Sequence, residues 1–401
     1  MSTVLLRNIG ELCTCDGARG EAPGVVTDAA LVAVDGVITY VGTESSVDRA
    51  SLAGDVEEHD LDGAAVVPGF VDSHTHLVWL GDRAEEYASR AAGVRYQEIA
   101  AHGGGIRATV AATAAGDVAE LAHAAEERAR RMLRHGTTTL EIKSGYGIAH
   151  DAEMRQLDAA RALHARGGLP DVMTTYLPLH AAPDGDRAAF LNDVCARGVH
   201  DAAERATFAD AFCDVGAYTV DECARFFEAA IAAGLRPKVH AEQLAHTGGA
   251  QLAARAGAVS ADHLEHATEE DLRALQRAGV VATILPGASL GLDGPPAPGR
   301  RALDAGCRVA IATDCNPGTC YCESMPLMCS LAVASAGLTP GQALVAATAG
   351  GAAALGLTDR GVVRPGARCD VAVLASRRWL EVAYHLGGDV VDRVFIGADE
   401  A

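Results

Sequence analysis

From residue 66 to about residue 314 the chain alternates between apolar, strand-like runs and Ala/Leu/Arg/Glu-rich segments of helical period. The runs fall at 66–73, 137–143, 172–180, 208–214, 236–241, 258–264, 280–285 and 308–314; helical stretches at 117–135, 151–166, 219–233 and 268–278 fill gaps between them. This alternation is the pattern of βα units around a parallel sheet. Eight strands with crossover helices predict an α/β fold, a (β/α)8 barrel in preference to an open doubly wound sheet.

The two ends of the chain have a different texture. Residues 3–6, 30–34 and 37–41 read as short strands, the last two joined by Asp35-Gly36, a strong hairpin signal. After the eighth run come helical segments at 324–336 and 340–355, then turn-plus-strand segments at 361–374 and 390–396. The similarity of the ends predicts that 1–65 and 361–401 form one composite small β-sandwich domain beside a barrel of residues 66–360.

Composition narrows the function classes. A hydrophobic content of 49% without an apolar run of about 20 residues argues against a membrane span. The N-terminus lacks the basic start and long apolar core of a secretory signal, so a cytoplasmic location is expected. A net charge of −20 without a basic stripe excludes nucleic acid as an expected partner. Most of the 11 cysteines, an odd number spread along the chain, are expected to be buried free thiols. Cys13 and Cys15 lack a second pair at zinc-finger spacing and read as structural.

Barrel active sites are built at the C-terminal ends of strands. The first run ends at His74 and His76, the second leads into Lys143-Ser144-Gly145-Tyr146-Gly147, and the third ends near His180. The fifth ends at His240, followed by Glu242 and Gln243; the sixth ends at Asp262 and His263, and the eighth at Asp314, followed by Asn316, Gly318 and Thr319. In His-x-His the period of two puts both imidazoles on one side of a strand, where they can meet one metal ion. Joined by His240 and Asp314 they would make a three-nitrogen, one-oxygen site with room for water, suited to zinc or ferrous iron. A bound ion makes hydroxide available at neutral pH, so the implied chemistry is hydrolysis.

These residues bring a resemblance into view. The segment Pro68-Gly69-Phe70-Val71-Asp72-x-His74-x-His76 is shared with many amidohydrolases, and Gly81-Asp82-Arg83-Ala84-Glu85-Glu86, Gly103-Gly104-Gly105-Ile106, Glu141-Ile142-Lys143-Ser144-Gly145-Tyr146-Gly147 and Ala312-Thr313-Asp314-Cys315-Asn316-Pro317-Gly318-Thr319 are more specific. From about residue 3 to about residue 396 the chain resembles the imidazolonepropionase family, the histidine-degradation branch of the amidohydrolase superfamily. The resemblance implies a barrel of the metallo-dependent hydrolase type. It implies hydrolysis of the ring amide of 4-imidazolone-5-propanoate to N-formimino-L-glutamate, the third step of histidine degradation. It also implies one divalent or trivalent ion per chain, zinc or iron, on His74, His76, His240 and Asp314. Arg83, Tyr146, His180, Asn316, Gly318 and Thr319 match substrate-contacting positions, Arg83 meeting the propionate bidentately. His263 matches a histidine beside the metal that takes a proton from water and returns it to the leaving nitrogen.

Where certain relatives carry glutamate three residues after the strand-five histidine, this chain has Gln243. A glutamine orients substrate but exchanges no proton, which shifts the proton work to His263 and Asp314. It also weakens the competing reading, an aminohydrolase acting on another heterocycle. The non-enzymatic alternative is a barrel with a structural metal. Lys143 invites comparison with carboxylated barrel lysines, but a single metal is expected. Cys315, Cys320 and Cys322 read as loop thiols, since their sulfurs would close the position water needs. A small-molecule substrate and a homodimer are the expected partners. The loop at about 81–107 is a candidate to close over the ring.

Overall fold

The computed structural model describes residues 2–17, 23–52, 54–94, 104–164 and 166–401. Gly103 and the 95–103 part of the 81–107 loop lie outside the described residues.

The chain opens with β1 (Thr3–Cys13), β2 (Val25–Val34), β3 (Val37–Thr43) and β4 (Val56–Asp60). β2 and β3 pair antiparallel with Val34 opposite Val37, and Asp35 and Gly36 both take positive φ (48° and 79°), as a two-residue hairpin turn demands. The run at 66–73, expected as one strand, is divided at Gly69 into β5 (Val66–Pro68) and β6 (Phe70–Asp72). Then follow β7 (Thr137–Lys143), β8 (Asp171–Leu179), β9 (Phe208–Cys213), β10 (Arg236–Ala241), β11 (Ser260–His263), β12 (Val281–Ile284) and β13 (Val309–Ile311), and finally β14 (Val371–Leu374), β15 (Val391–Ile396) and β16 (Asp399–Glu400).

β5 joins the sheet of the chain ends, antiparallel to β14 and parallel to β1, whereas β6 pairs in parallel with β7. The break has a packing cause. A Cβ at Gly69 would stand 2.2 Å from Thr138 Oγ1, so only glycine lets the chain cross from one sheet to the other there.

The first sheet runs β16-β15-β14-β5-β1-β2-β3, with β4 on β1; the second runs β13-β12-β11-β10-β9-β8-β7-β6. Neighbours in the second are all parallel, and together the eight strands form the barrel. Its seam between β13 and β6 is closed just beyond the strands. Asp314 N donates to His74 O (3.0 Å), His76 N donates to Cys315 O (3.0 Å), and the Asp72 carboxylate accepts from Thr313 N (3.1 Å) and Thr313 Oγ1 (2.6 Å). The stitching that closes the barrel thus brings His74 and His76 against Asp314.

The crossover helices start where the sequence marks them. Asp117 and Glu120 form a capping box for Val118–Arg134, Thr219 and Glu222 for Val220–Ala232, and Thr268 and Asp271 for Glu269–Ala278. The stretch at 340–355 runs as Pro340–Val345 and Gly351–Ala354 around a π-helical turn at Ala346–Gly350. Among the described residues no helix is long and apolar enough to cross a membrane.

Candidate active site

His74 and His76 leave β6 on the same side and are both buried. His74 Nδ1 lies 2.7 Å from Asp262 Oδ2, which leaves Nε2 without a hydrogen-bond partner among the described residues, 3.5 Å from Asp314 Oδ1. His76 Nε2 stands 3.5 Å from the same oxygen. His240, near the end of β10, has both ring nitrogens buried without a hydrogen-bond partner among the described residues, Nδ1 standing 3.0 Å from Asp210 Oδ2; its ring centroid is 4.4 Å from that of His74. Ligand atoms of His74, His76 and Asp314 lie within 4.8 Å of one another, as do those of His74, His240 and His263 and those of His76, His180 and His240.

This donor set fits a cation. Leaving buried imidazole nitrogens unpaired is costly, and an ion at their meeting point satisfies them together. Burial first, then the neighbouring imidazoles and the Lys143 ammonium, pushes His74 and His76 well below the ordinary histidine range, so both offer the lone pairs a metal needs. Burial pushes the Asp314 carboxyl well above its ordinary value, a shift that a cation beside it reverses.

Beneath these ligands lies a layer of charge enclosed by the barrel. Lys143 Nζ donates to Glu141 Oε1 (2.9 Å) and Asp210 Oδ2 (2.7 Å) and lies 3.8 Å from Asp262, while Lys238 Nζ donates to Ser73 O (2.7 Å) and lies 3.2 Å from Glu141. All five side chains are 0% exposed. Burial pulls the Lys143 ammonium down, but Asp210, Glu141 and Asp262 together outweigh it and push the pKa above the usual lysine value. A lysine held protonated is no nucleophile for carbon dioxide. Asp210 and Asp262 therefore have two tasks, neutralising the lysines and turning His240 and His74 toward the site. Sequence reasoning assigned no role to Asp210, Glu141 or Lys238. The available signal was charge at period two in otherwise apolar strands: Glu141 and Lys143, and Lys238 beside His240.

The rim carries the other expected residues. Tyr146 is buried with its ring 5.8 Å from that of His76 and 5.3 Å from that of His180. Its loop is fixed from the helix His150–His164: the Glu153 carboxylate accepts from Gly145 N (3.0 Å), Gly147 N (2.7 Å) and Ile148 N (2.7 Å), and Gln156 Oε1 accepts from Tyr146 N (3.1 Å). His180, one residue beyond β8, stacks on His76 at 4.9 Å and donates from Nδ1 to Gly145 O (3.0 Å). Arg83 is paired through Nε with Glu86 Oε2 (2.9 Å) and through Nη2 with Glu86 Oε1, and Glu86 also accepts from Gly105 N (2.8 Å). A Cβ at Gly318 would stand 2.2 Å from Arg83 Nη1, so the glycine makes room for the guanidinium. Asn316 is engaged in its own turn, Nδ2 donating to Asp314 O (2.6 Å) and Thr319 Oγ1 (2.8 Å) while Oδ1 accepts from Gly318 N (2.8 Å) and Thr319 N (2.9 Å). Thr319 Oγ1 lies 3.4 Å from Asp314 Oδ2.

Gln243 is half-buried, and its backbone N donates to Asp214 Oδ2 (2.7 Å). Glu242, next to it, is spent on backbone: its carboxylate accepts from Thr247 N (2.6 Å), Gly248 N (3.0 Å) and Ala250 N (3.1 Å). Glu242, His263, Leu264 and Asp314 all take positive φ (55°, 80°, 70° and 51°), so left-handed, non-glycine backbone gathers where β10, β11 and the chain after β13 reach the rim. Cys315 and Cys320 are buried thiols whose pKa burial raises well above the ordinary value, and no cysteine enters a metal-holding group among the described residues.

Comparison with known proteins adds an independent line. The amidohydrolase family matches residues 65–399. Relatives named imidazolonepropionase from Deinococcus radiodurans and Salinispora arenicola are 44% and 43% identical, the first over 99% of both chains, the second over 98% of this chain and 97% of its own. Among solved structures, guanine deaminase from C. acetobutylicum superposes with a TM-score of 0.73 at 14% identity over 99% of each chain. A. niger ochratoxinase superposes with a TM-score of 0.71 at 19% identity, over 100% of this chain and 95% of its own. At such identities these two structures speak for the fold alone.

Proposed function

Because the chain belongs to the imidazolonepropionase family of amidohydrolases, we propose that it hydrolyses the ring amide of 4-imidazolone-5-propanoate to N-formimino-L-glutamate. The observation that carries this reading is the convergence of His74, His76 and Asp314 with His240 below a rim that holds Arg83 against Gly318. We assign His74, His76, His240 and Asp314 as ligands of one zinc or iron ion. Bound there, the ion supplies Lewis acidity to the ring carbonyl and lowers the pKa of water.

The chain's own residues do the rest. The bidentate edge expected to meet the propionate is engaged by Glu86, which takes Nε and Nη2 of Arg83, so Nη1 is the donor left for a substrate carboxylate. Tyr146 and His180 wall the ring on one side, Gln243 orients it by hydrogen bonding, and Thr319 offers a hydroxyl beside Asp314. Asn316 and Gly318 act by shaping that turn and clearing its space. His263 and Asp314 take the proton as water adds to the carbonyl carbon and deliver it to the ring nitrogen as the C–N bond breaks. Ring opening gives a single product that carries both the new carboxylate and the formimino nitrogen.

We read residues 1–65 with 361–401 as one domain and 66–360 as the other, and expect the enzyme to act as a cytoplasmic homodimer. Sedimentation measures the subunit number directly.

The test is turnover. Metal-loaded protein mixed with imidazolone propionate should remove the ultraviolet absorbance of the ring; a metal-replete protein that leaves it unchanged would overturn the proposal, and ammonia released from a purine or pyrimidine would point to an aminohydrolase. For Arg83→Ala we expect KM to rise by about 10- to 100-fold with metal content unchanged, the loss of one charge-assisted contact of about 1.5–3 kcal/mol. Arg83→Lys should recover only part, because an ammonium has no planar fork with which to hold Glu86 while presenting a further donor to the substrate. An unaltered KM in Arg83→Ala would remove Arg83 from the binding site.

A further inference from the structure

We propose that Glu265 is the positioning residue for His263, accepting the Nδ1 proton so that Nε2 is the nitrogen that exchanges protons with the reacting atoms; this rests on the reading of His263 as proton carrier.

Two buried groups without partners face each other here. His263 Nδ1 and Glu265 Oε2 each lack a hydrogen-bond partner among the described residues, and they lie 4.0 Å apart. The other carboxylate oxygen is anchored, since Glu265 Oε1 accepts from Ser289 Oγ at 2.6 Å, on the helix Pro286–Gly291 that follows β12. Among the described residues no lysine or arginine pairs with Glu265, so its second oxygen is not committed to a structural ion pair. A buried polar atom left unpaired is costly, and a small rotation of either side chain removes that cost for both.

The backbone accounts for the approach. In a regular strand, residues two apart share a face but their Cα atoms are about 6.6 Å apart. At this point His263 and Leu264 take φ of 80° and 70°, and the turn is held by Leu264 N on Ala241 O (3.0 Å) and His266 N on Glu242 O (2.8 Å). Neither residue is glycine, so the conformation is strained and persists because the rim of β10 holds it. Its effect is to fold Glu265 back beside the His263 ring. The ring itself lies beside the ligand cluster, with its centroid 5.5 Å from that of His74 and 5.3 Å from that of His240.

In the reaction, Nε2 accepts the proton lost by water, the Glu265 carboxylate stabilises the imidazolium, and Nε2 returns the proton to the ring nitrogen as the C–N bond breaks. No electron is transferred and the histidine is regenerated.

Glu265→Gln and Glu265→Ala in the zinc-loaded enzyme separate this role from a structural one. An amide oxygen still accepts from Ser289, but its NH2 donates to Nδ1 and drives the proton onto Nε2. We expect Glu265→Gln to lower kcat by about 100-fold or more with KM within about threefold of wild type, and Glu265→Ala to lose less than Glu265→Gln. A packing role gives the opposite order, because glutamine is the closer isostere. The second measurement is NMR of isotope-labelled histidine, which reads the His263 tautomer directly: Nδ1–H in the wild type, Nε2–H in Glu265→Gln. Ser289→Ala, which removes only the anchor, should lower kcat several-fold and serves where Glu265→Gln does not fold. Wild-type kcat in Glu265→Gln, an alanine variant slower than the glutamine variant, or a wild-type His263 protonated on Nε2 would each overturn the proposal. A wild type that turns nothing over yet carries the Nδ1–H tautomer would overturn the reaction assigned to the site while supporting the pairing.

Discussion

Asp314→Asn is expected to lower kcat by about 10³-fold and to reduce the metal retained after dialysis against a weak chelator, with the fold intact. Asparagine is the informative replacement because position 314 has φ of 51°, and asparagine shares with aspartate a tolerance for that left-handed conformation. The backbone bonds around it, Asp314 N to His74 O and Asn316 Nδ2 to Asp314 O, involve main-chain atoms that the substitution keeps. What is lost is charge at the point where His74 Nε2 and His76 Nε2 both stand 3.5 Å from one carboxylate oxygen. An amide there binds a cation more weakly and accepts no proton, so both roles assigned to Asp314 fail together; the expected size lies within the 10²–10⁴ range for a lost general base. In the metal-free protein the carboxyl is buried and pushed well above its ordinary value, so Asp314→Asn should leave the melting temperature of that form unchanged or raised. Thermal unfolding with and without zinc, beside kcat, checks both halves. A variant that keeps wild-type kcat would remove Asp314 from the site.

That expectation starts from positions visible in the sequence. His74 and His76 share a side of their strand because of the period of two, and His240, His263 and Asp314 are found by asking what stands where each apolar run ends. The capping boxes at Asp117, Thr219 and Thr268 likewise fix helix starts from local chemistry alone. What escaped the reading depends on contacts between distant segments. The division at Gly69 is enforced by Thr138, a neighbour in space whose identity no local pattern announces. Asn316 matches a substrate-contacting position, yet the turn it closes takes up its amide. Glu265 follows His263 by two residues, a spacing that implies no contact until the left-handed pair His263-Leu264 folds one onto the other. The interior charges were visible as an oddity, charged side chains in apolar strands, but their pairing was not.

That pairing leads to the largest expected effect on stability. Lys143→Met should destabilise the protein by about 3–5 kcal/mol in urea unfolding, because it removes one cation from a buried group and leaves its partners charged. Lys143 holds Glu141 and Asp210 by direct hydrogen bonds and stands 3.8 Å from Asp262; without it Lys238, 3.2 Å from Glu141 and 4.0 Å from Asp262, is the one cation left for the three carboxylates of this layer. Methionine fills a similar volume, so the loss reads charge more than packing. The effect should reach the site as well. Asp210 and Asp262 are the groups beside His240 Nδ1 and His74 Nδ1, and carboxylates deprived of their ammonium shift position or gain protons, so zinc affinity measured by chelator competition should fall with stability. A charge-balanced double variant, Lys143→Met with Glu141→Gln, separates the two contributions. If the cost lies in uncompensated charge, the pair should recover part of the stability lost in the single variant, a coupling that independent sites do not show. A Lys143→Met protein within about 1 kcal/mol of wild type would mean that this layer is not ionised as drawn, and the orientation of His74 and His240 would then need another source.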